Sequence, residues 1–242
     1  MDLGSYYWIA ALVFGFTFIV RQKLDFTYRK WGQTRNQANV TGEQTARLIL
    51  RAQQMPHVKV GPIAGKLTDH YNPRTKEIRL SETVYGTPSV AAMAIAAHES
   101  GHAIQDEVDY RPIELRTRLA PLAAAGGRFG LPALIFGSVV GMPLLVQVGV
   151  FAYAAAFLLQ FLTLPVEFNA SKRAMQQLDE LGLLSEQERE GARSVLRSAA
   201  LTYVAGVASA AGYIIYLLFV GSRWLGRKPQ TGSGPFKPPP AV

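Results

Sequence analysis

The sequence predicts a mainly α membrane protein, with about four transmembrane helices and a small α+β portion made of a short β-hairpin and one buried helix. Three observations predict this. Apolar runs at 3–20, 131–164 and 201–220 are long enough to cross a bilayer, the second of them with a break inside it. The segment 58–81 changes to short runs around the turn Asn72-Pro73-Arg74-Thr75. The stretch 89–105, SVAAMAIAAHESGHAIQ, is almost wholly apolar until it reaches His98, Glu99 and His102 in the pattern H-E-x-x-H.

Composition agrees. Hydrophobic residues make up 49% of the 242 positions and charged residues 17%, which is apolar for a soluble domain. There is no cysteine, so disulfides and thiolate metal sites are excluded, and a zinc ion would need histidine and carboxylate. The net charge of +8 comes without an aromatic-interleaved basic motif. Basic residues that flank membrane helices and face anionic lipid explain it instead. The partners expected are therefore a lipid bilayer and no nucleic acid.

In chain order, residues 1–21 are an N-terminal transmembrane anchor. Its 18-residue run spans about 27 Å as a helix. A basic region ahead of it is missing, and Arg21 and Lys23 follow it. That pattern favours an uncleaved anchor over a signal peptide. Residues 22–120 are the expected catalytic part. It begins with a basic surface segment at 21–35. An amphipathic helix over 41–55 follows, opened by a Thr41/Gln44 capping box. Strands are expected at 63–71 and 76–80. A strand beside a metal helix can bind an extended peptide by adding it to the sheet edge; an ordinary hairpin covering the helix is the equal alternative. Ser89 is the expected N-cap of the H-E-x-x-H helix.

Residues 121–165 read as a transmembrane hairpin broken at Gly141-Met142-Pro143, with Gln147 and Gln160 suited to helix–helix contacts. Residues 166–200 read as a helical part. A helix begins at Glu167 and ends at Gly182, and a Ser185/Glu188 capping box opens the next. Residues 201–222 are a further transmembrane helix, and 223–242 a Pro/Gly/Ser-rich disordered tail.

The chemistry is concentrated at the H-E-x-x-H helix. Histidines four apart lie on one helical face and can share a zinc ion, with Glu99 placed to take a proton from a water activated there. Burying two imidazoles and a carboxylate on an apolar helix without a metal would be costly. A catalytic zinc has three protein ligands, so a third is needed from His57, His70 or Glu167, and spacing alone does not choose. His70, Tyr71 and Tyr203 are candidate oxyanion or substrate contacts.

The blocks AAHESGHAIQ, VEFNASKRA, ELGLLSEQEREGARSVLRSAALTYVA and DHYNPRTKEIRLS resemble the YugP-type membrane zinc metallopeptidases. The likeness covers most of the chain and is weakest in the tail. The E-x-x-A-S of residues 167–171 is similar to the E-x-x-A-D of the HtpX-type and CAAX-prenyl endopeptidase families, in which the glutamate is the third zinc ligand. The resemblance implies a zincin-like, gluzincin-like portion. It implies one Zn²⁺ held by His98, His102 and Glu167, with Glu99 as general base, and an integral protein of a bacterial cell membrane. Ser171 stands where those families have aspartate.

The expected activity is zinc-dependent hydrolysis of peptide bonds in membrane or membrane-proximal polypeptides. A non-catalytic zinc-binding scaffold, a zinc hydrolase of small amides or lipid-linked substrates, and a lipid-surface binding module are the alternatives. The intact Glu99 argues against the scaffold, because metal binding alone does not require it. Basic clusters at 21–35, 111–128 and 172–197 place the catalytic region on the cytoplasmic side. Four crossings then put both ends outside, which Arg223, Arg227 and Lys228 oppose.

Overall fold

The computed structural model describes the backbone of residues 3–225. The protein is mainly helical with one small sheet. In order come α1 (Leu3–Gln33), α2 (Gly42–Ala52), β1 (Lys59–Ile63), β2 (His70–Asn72), β3 (Glu77–Ser81) and α3 (Glu82–Tyr85). The long helices α4 (Val90–Glu107), α5 (Arg111–Val140), α6 (Pro143–Glu180) and α7 (Glu186–Leu225) follow. Most of the expected tail, with Arg227 and Lys228, lies outside the described residues.

Helix α4 is the core. Five alanines precede His98, favouring helix and leaving room for close neighbours. The Ser89 hydroxyl caps it by accepting from the Ala92 N–H at 3.1 Å. Around it, Ile49 of α2, Ile78 and Leu80 of β3, Leu178 of α6 and Val195 of α7 are all buried. The Thr41/Gln44 capping box of α2 forms in both directions.

The sheet differs from expectation. Its order is β1-β3-β2, with β1 parallel and β2 antiparallel to β3. The expected strand at 63–71 is not continuous. Pairing stops at Ile63, and the chain passes through Gly65 and Leu67, both at positive φ, before β2 starts at His70. The turn after β2 is stabilised by Asn72 Oδ1, which accepts from the Arg74 N–H at 3.0 Å.

The helices are longer than the apolar runs. The basic segment 21–35 is largely the second half of α1, because nothing in it breaks a helix before Gln33. Glu167 is not at a helix start. It lies well inside α6, which continues from the hairpin through Pro165. The expected helix opened at Ser185 and the last apolar run form the single helix α7.

Glycines set the helix pairing. A Cβ on Gly126 would collide with Ala152 O and one on Gly149 would sit 2.6 Å from Leu134 N, so α5 and α6 touch backbone to backbone. Gly141, at φ 69°, ends α5 and turns the chain into α6. Helices α1 and α7 run antiparallel, joined by Thr17 to Ser209 at 3.2 Å and Ser198 to Thr27 at 3.3 Å. Gln160 of α6 packs against Gly206 of α7.

Among the described residues, three helices are long and apolar enough to cross a membrane: α5, α6 and residues 186–212 of α7. Phe136, Val139, Leu144 and Phe151 near the α5–α6 tip are more than half exposed, as lipid-facing side chains would be.

Candidate metal centre

Helix α4 presents His98 and His102 on one face, with ring centroids 4.7 Å apart. Helix α6 crosses that face at Gly101, where Ala170 of α6 leaves no room for a side chain. The crossing brings Glu167 to the imidazoles. Its Oε2 lies 3.1 Å from His98 Nε2 and 3.5 Å from His102 Nε2. The three side chains offer donor atoms within 4.8 Å of one another. His57 is elsewhere, paired with Glu107 at 3.2 Å.

The donor set fits a zinc ion. Two imidazole nitrogens and one carboxylate oxygen make up a known catalytic zinc set. Glu167 is almost fully buried, and its Oε1 accepts no hydrogen bond, although Arg116 Nη1 is 3.2 Å away. Burial pushes the Glu167 carboxyl up, but the His102 and His98 imidazoles beside it outweigh burial and hold it well below the usual range. Glu167 lies three residues beyond the apolar run ending at Leu164 and is an anion.

Glu99 differs. It is buried, and burial pushes its carboxyl up to about 7, with His98 opposing and Asp69 and Glu167 adding to the rise. The backbone of Tyr71 in β2 hydrogen-bonds to it. A carboxyl tuned near neutrality beside a metal-type cluster can accept a proton from water and give it up again.

The site opens into a cavity of about 610 Å³. Edge strand β2 forms one wall and α5 and α7 another. His70, Tyr71 and Tyr203 all line it. The Tyr71 hydroxyl, however, donates to Asp106 Oδ2 at 2.6 Å, where Lys76 also binds at 2.8 Å. Burial and that bond push the hydroxyl up, so it remains protonated and committed to Asp106. His70 is exposed, with Nδ1 2.8 Å from Thr68 O.

Sequence reasoning missed Arg116, which belongs to a charged stretch with nothing to set it apart. It also missed Gln105, whose signal was its position one turn after His102. Ser171 does support the site without a carboxylate, its hydroxyl lying 3.2 Å from His98 Nδ1.

A family model described as "Putative neutral zinc metallopeptidase" matches residues 6–222. The chain belongs to this family. The chain is also 39% identical over 199 residues to "Putative membrane protease YugP" of Bacillus subtilis (strain 168), an alignment covering 81% of this chain and 87% of that relative. No solved structure matches. The family description implies zinc, and His98, His102 and Glu167 form the cluster that could hold a metal.

Proposed function

We propose that this member of the zinc metallopeptidase family is an integral-membrane endopeptidase acting on membrane or membrane-proximal polypeptides. One observation carries the reading. The crossing of α6 over α4 gathers His98, His102 and Glu167 beside Glu99, a carboxyl held near neutrality. His98, His102 and Glu167 would hold one Zn²⁺. When bound, the ion supplies Lewis acidity, acidifying a water and polarising the scissile carbonyl.

The chain's own groups supply the rest. Glu99 takes the proton from the attacking water and delivers it to the leaving amine, the work of a carboxylate positioned beside the metal cluster. The Tyr71 backbone holds Glu99 in place. Edge strand β2 offers an extended substrate a partner within the cavity. Tyr203 is the remaining candidate for an oxyanion contact, because it lines the cavity beside Glu167 and Tyr71 is committed to Asp106.

Four crossings complete the reading, α1 joining the three helices named above. The basic clusters at 21–35, 111–128 and 172–197 support a cytoplasmic catalytic region. The cavity is lined both by β2 and by Ala120, Pro121 and Ala200, next to the apolar runs, which suits a substrate emerging from the bilayer.

The test is to purify the protein in nanodiscs, measure bound zinc, and assay cleavage of an unfolded membrane protein and of small amides. Wild-type protein is expected to bind one zinc and cleave the polypeptide, and Glu99→Ala to keep the zinc and lose cleavage. Cleavage retained by Glu99→Ala, or confined to small amides, would overturn the reading.

A further inference from the structure

Gln105 is fully buried and joins the two helices that carry the metal cluster. Its Nε2 lies 2.8 Å from the backbone carbonyl of Val166 and 3.0 Å from Asn169 Oδ1, both on α6. Its Oε1 lies 3.0 Å from His102 Nδ1. The orientation of this amide follows from its partners. A backbone carbonyl can only accept, so the Gln105 NH₂ must face Val166. Asn169 is oriented in the same way, because Arg173 Nε, which can only donate, reaches its Oδ1 at 2.9 Å. With both Gln105 donors directed to α6, the carbonyl oxygen is the atom left for His102.

We propose that Gln105 is a positioning residue that fixes the tautomer of His102, holding the proton on Nδ1 and leaving Nε2 as the metal donor. The instruction originates on α6, the helix that also supplies Glu167. Arg173 orients Asn169, Asn169 and the Val166 carbonyl orient Gln105, and Gln105 orients the imidazole. The helix crossing thus brings in the third ligand and also selects which nitrogen of His102 faces it. His102 Nε2 lies 3.5 Å from Glu167 Oε2, consistent with that selection. A hydrogen bond to the non-ligating nitrogen of a metal-bound histidine commonly changes metal affinity by about 10–100-fold.

This inference rests on the proposed zinc centre, and the test separates the two. Full-length protein with ¹⁵N-labelled histidine, of which the chain has only four, is loaded with zinc in nanodiscs. The His102 resonances are assigned in the metal-free protein by their loss in His102→Ala and followed through a zinc titration of the wild type. Nitrogen shifts then report which nitrogen carries hydrogen and which the metal. The expected result is a protonated Nδ1 and a metallated Nε2. Metal on Nδ1 would overturn the inference while leaving the zinc centre standing. Absence of zinc binding would overturn both.

Two variants distinguish positioning from mere packing. Gln105→Met keeps the volume and removes the acceptor together with both donors to α6. Gln105→Glu keeps the acceptor and destroys both bonds to α6. If Gln105 fixes the tautomer, zinc affinity falls about 10–100-fold in Gln105→Met and less in Gln105→Glu, even though the glutamate variant unfolds at the lower temperature. If Gln105 only ties the helices together, zinc affinity follows thermal stability and the glutamate variant binds worst. That ranking would overturn the proposal.

Discussion

A Cβ placed on Gly101 would lie 2.5 Å from the carbonyl oxygen of Ala170. This contact is made between Glu99 and His102 on α4 and between Glu167 and Ser171 on α6. The backbones must meet here for the carboxylate to reach the imidazoles. Glycine in a helix interior normally costs about 1 kcal/mol relative to alanine. Here the preference is expected to reverse. Gly101→Ala should lower the melting temperature and weaken zinc binding, because overpacking a buried contact costs about 1–3 kcal/mol. Gly127 of α5 has open space around its Cβ position, so Gly127→Ala should do neither. Thermal unfolding and zinc titration of the two variants check this, and equal behaviour would remove the role given to the contact.

The buried Glu99 carboxyl makes metal-free stability depend on pH. Its folded value, about 7, is raised above the model-peptide value of 4.5. The folded state therefore favours the protonated form. Its stabilising contribution is complete below about pH 4.5 and is lost as pH rises through 7. Glu99→Gln mimics the protonated group at every pH. The metal-free variant should match wild type near pH 4.5 and be more stable by roughly 3 kcal/mol above pH 8. Denaturant melts of both proteins at the two pH values measure the difference, and a gap that fails to widen with pH would contradict the assignment.

Removing any of the proposed ligands should remove the metal. His98→Ala, His102→Ala and Glu167→Ala are expected to purify with little zinc. Glu99→Ala should keep its zinc and lose activity by about 10²–10⁴-fold, the range for a positioned general base. Elemental analysis beside a cleavage assay reads both. Full zinc content in Glu167→Ala would withdraw that ligand alone.

The two tyrosines of the cavity should behave differently. The Tyr71 hydroxyl ties β2 to Asp106 at the end of α4, so Tyr71→Phe should lower stability by about 1 kcal/mol and change kcat little. Tyr203→Phe should lower kcat by more than its loss of stability explains, if Tyr203 contacts the developing oxyanion. A kcat loss confined to Tyr71→Phe would reverse the two roles.

The number of crossings is open to a direct measurement. With α1, α5, α6 and α7 all spanning, a reporter fused after Val242 should lie on the side opposite the metal site. A reporter on the same side as the site would mean an odd number of crossings.

The sequence alone determined the candidate metal helix. His98, Glu99 and His102 fall at fixed offsets, and in a helix those offsets are geometry, so no neighbour was needed to put both imidazoles on one face. It also determined the hairpin tip at Gly141, because only a few residues tolerate the left-handed turn there and hydropathy marks the runs on each side. Local breaks were harder to read. The expected strand at 63–71 dissolved because strand pairing depends on a partner elsewhere in the chain, and the partner β3 engages β1 only as far as Ile63. Long helices were cut short for the opposite reason. Apolar runs end where lipid would end, whereas backbone hydrogen bonding continues until something stops it. Only the tertiary structure decided which carboxylate joins the histidines, that Tyr71 answers to Asp106, and that Gln105 faces His102. Each of these depends on where two helices far apart in sequence cross, and that crossing is fixed by the missing side chain of Gly101 against the backbone of Ala170.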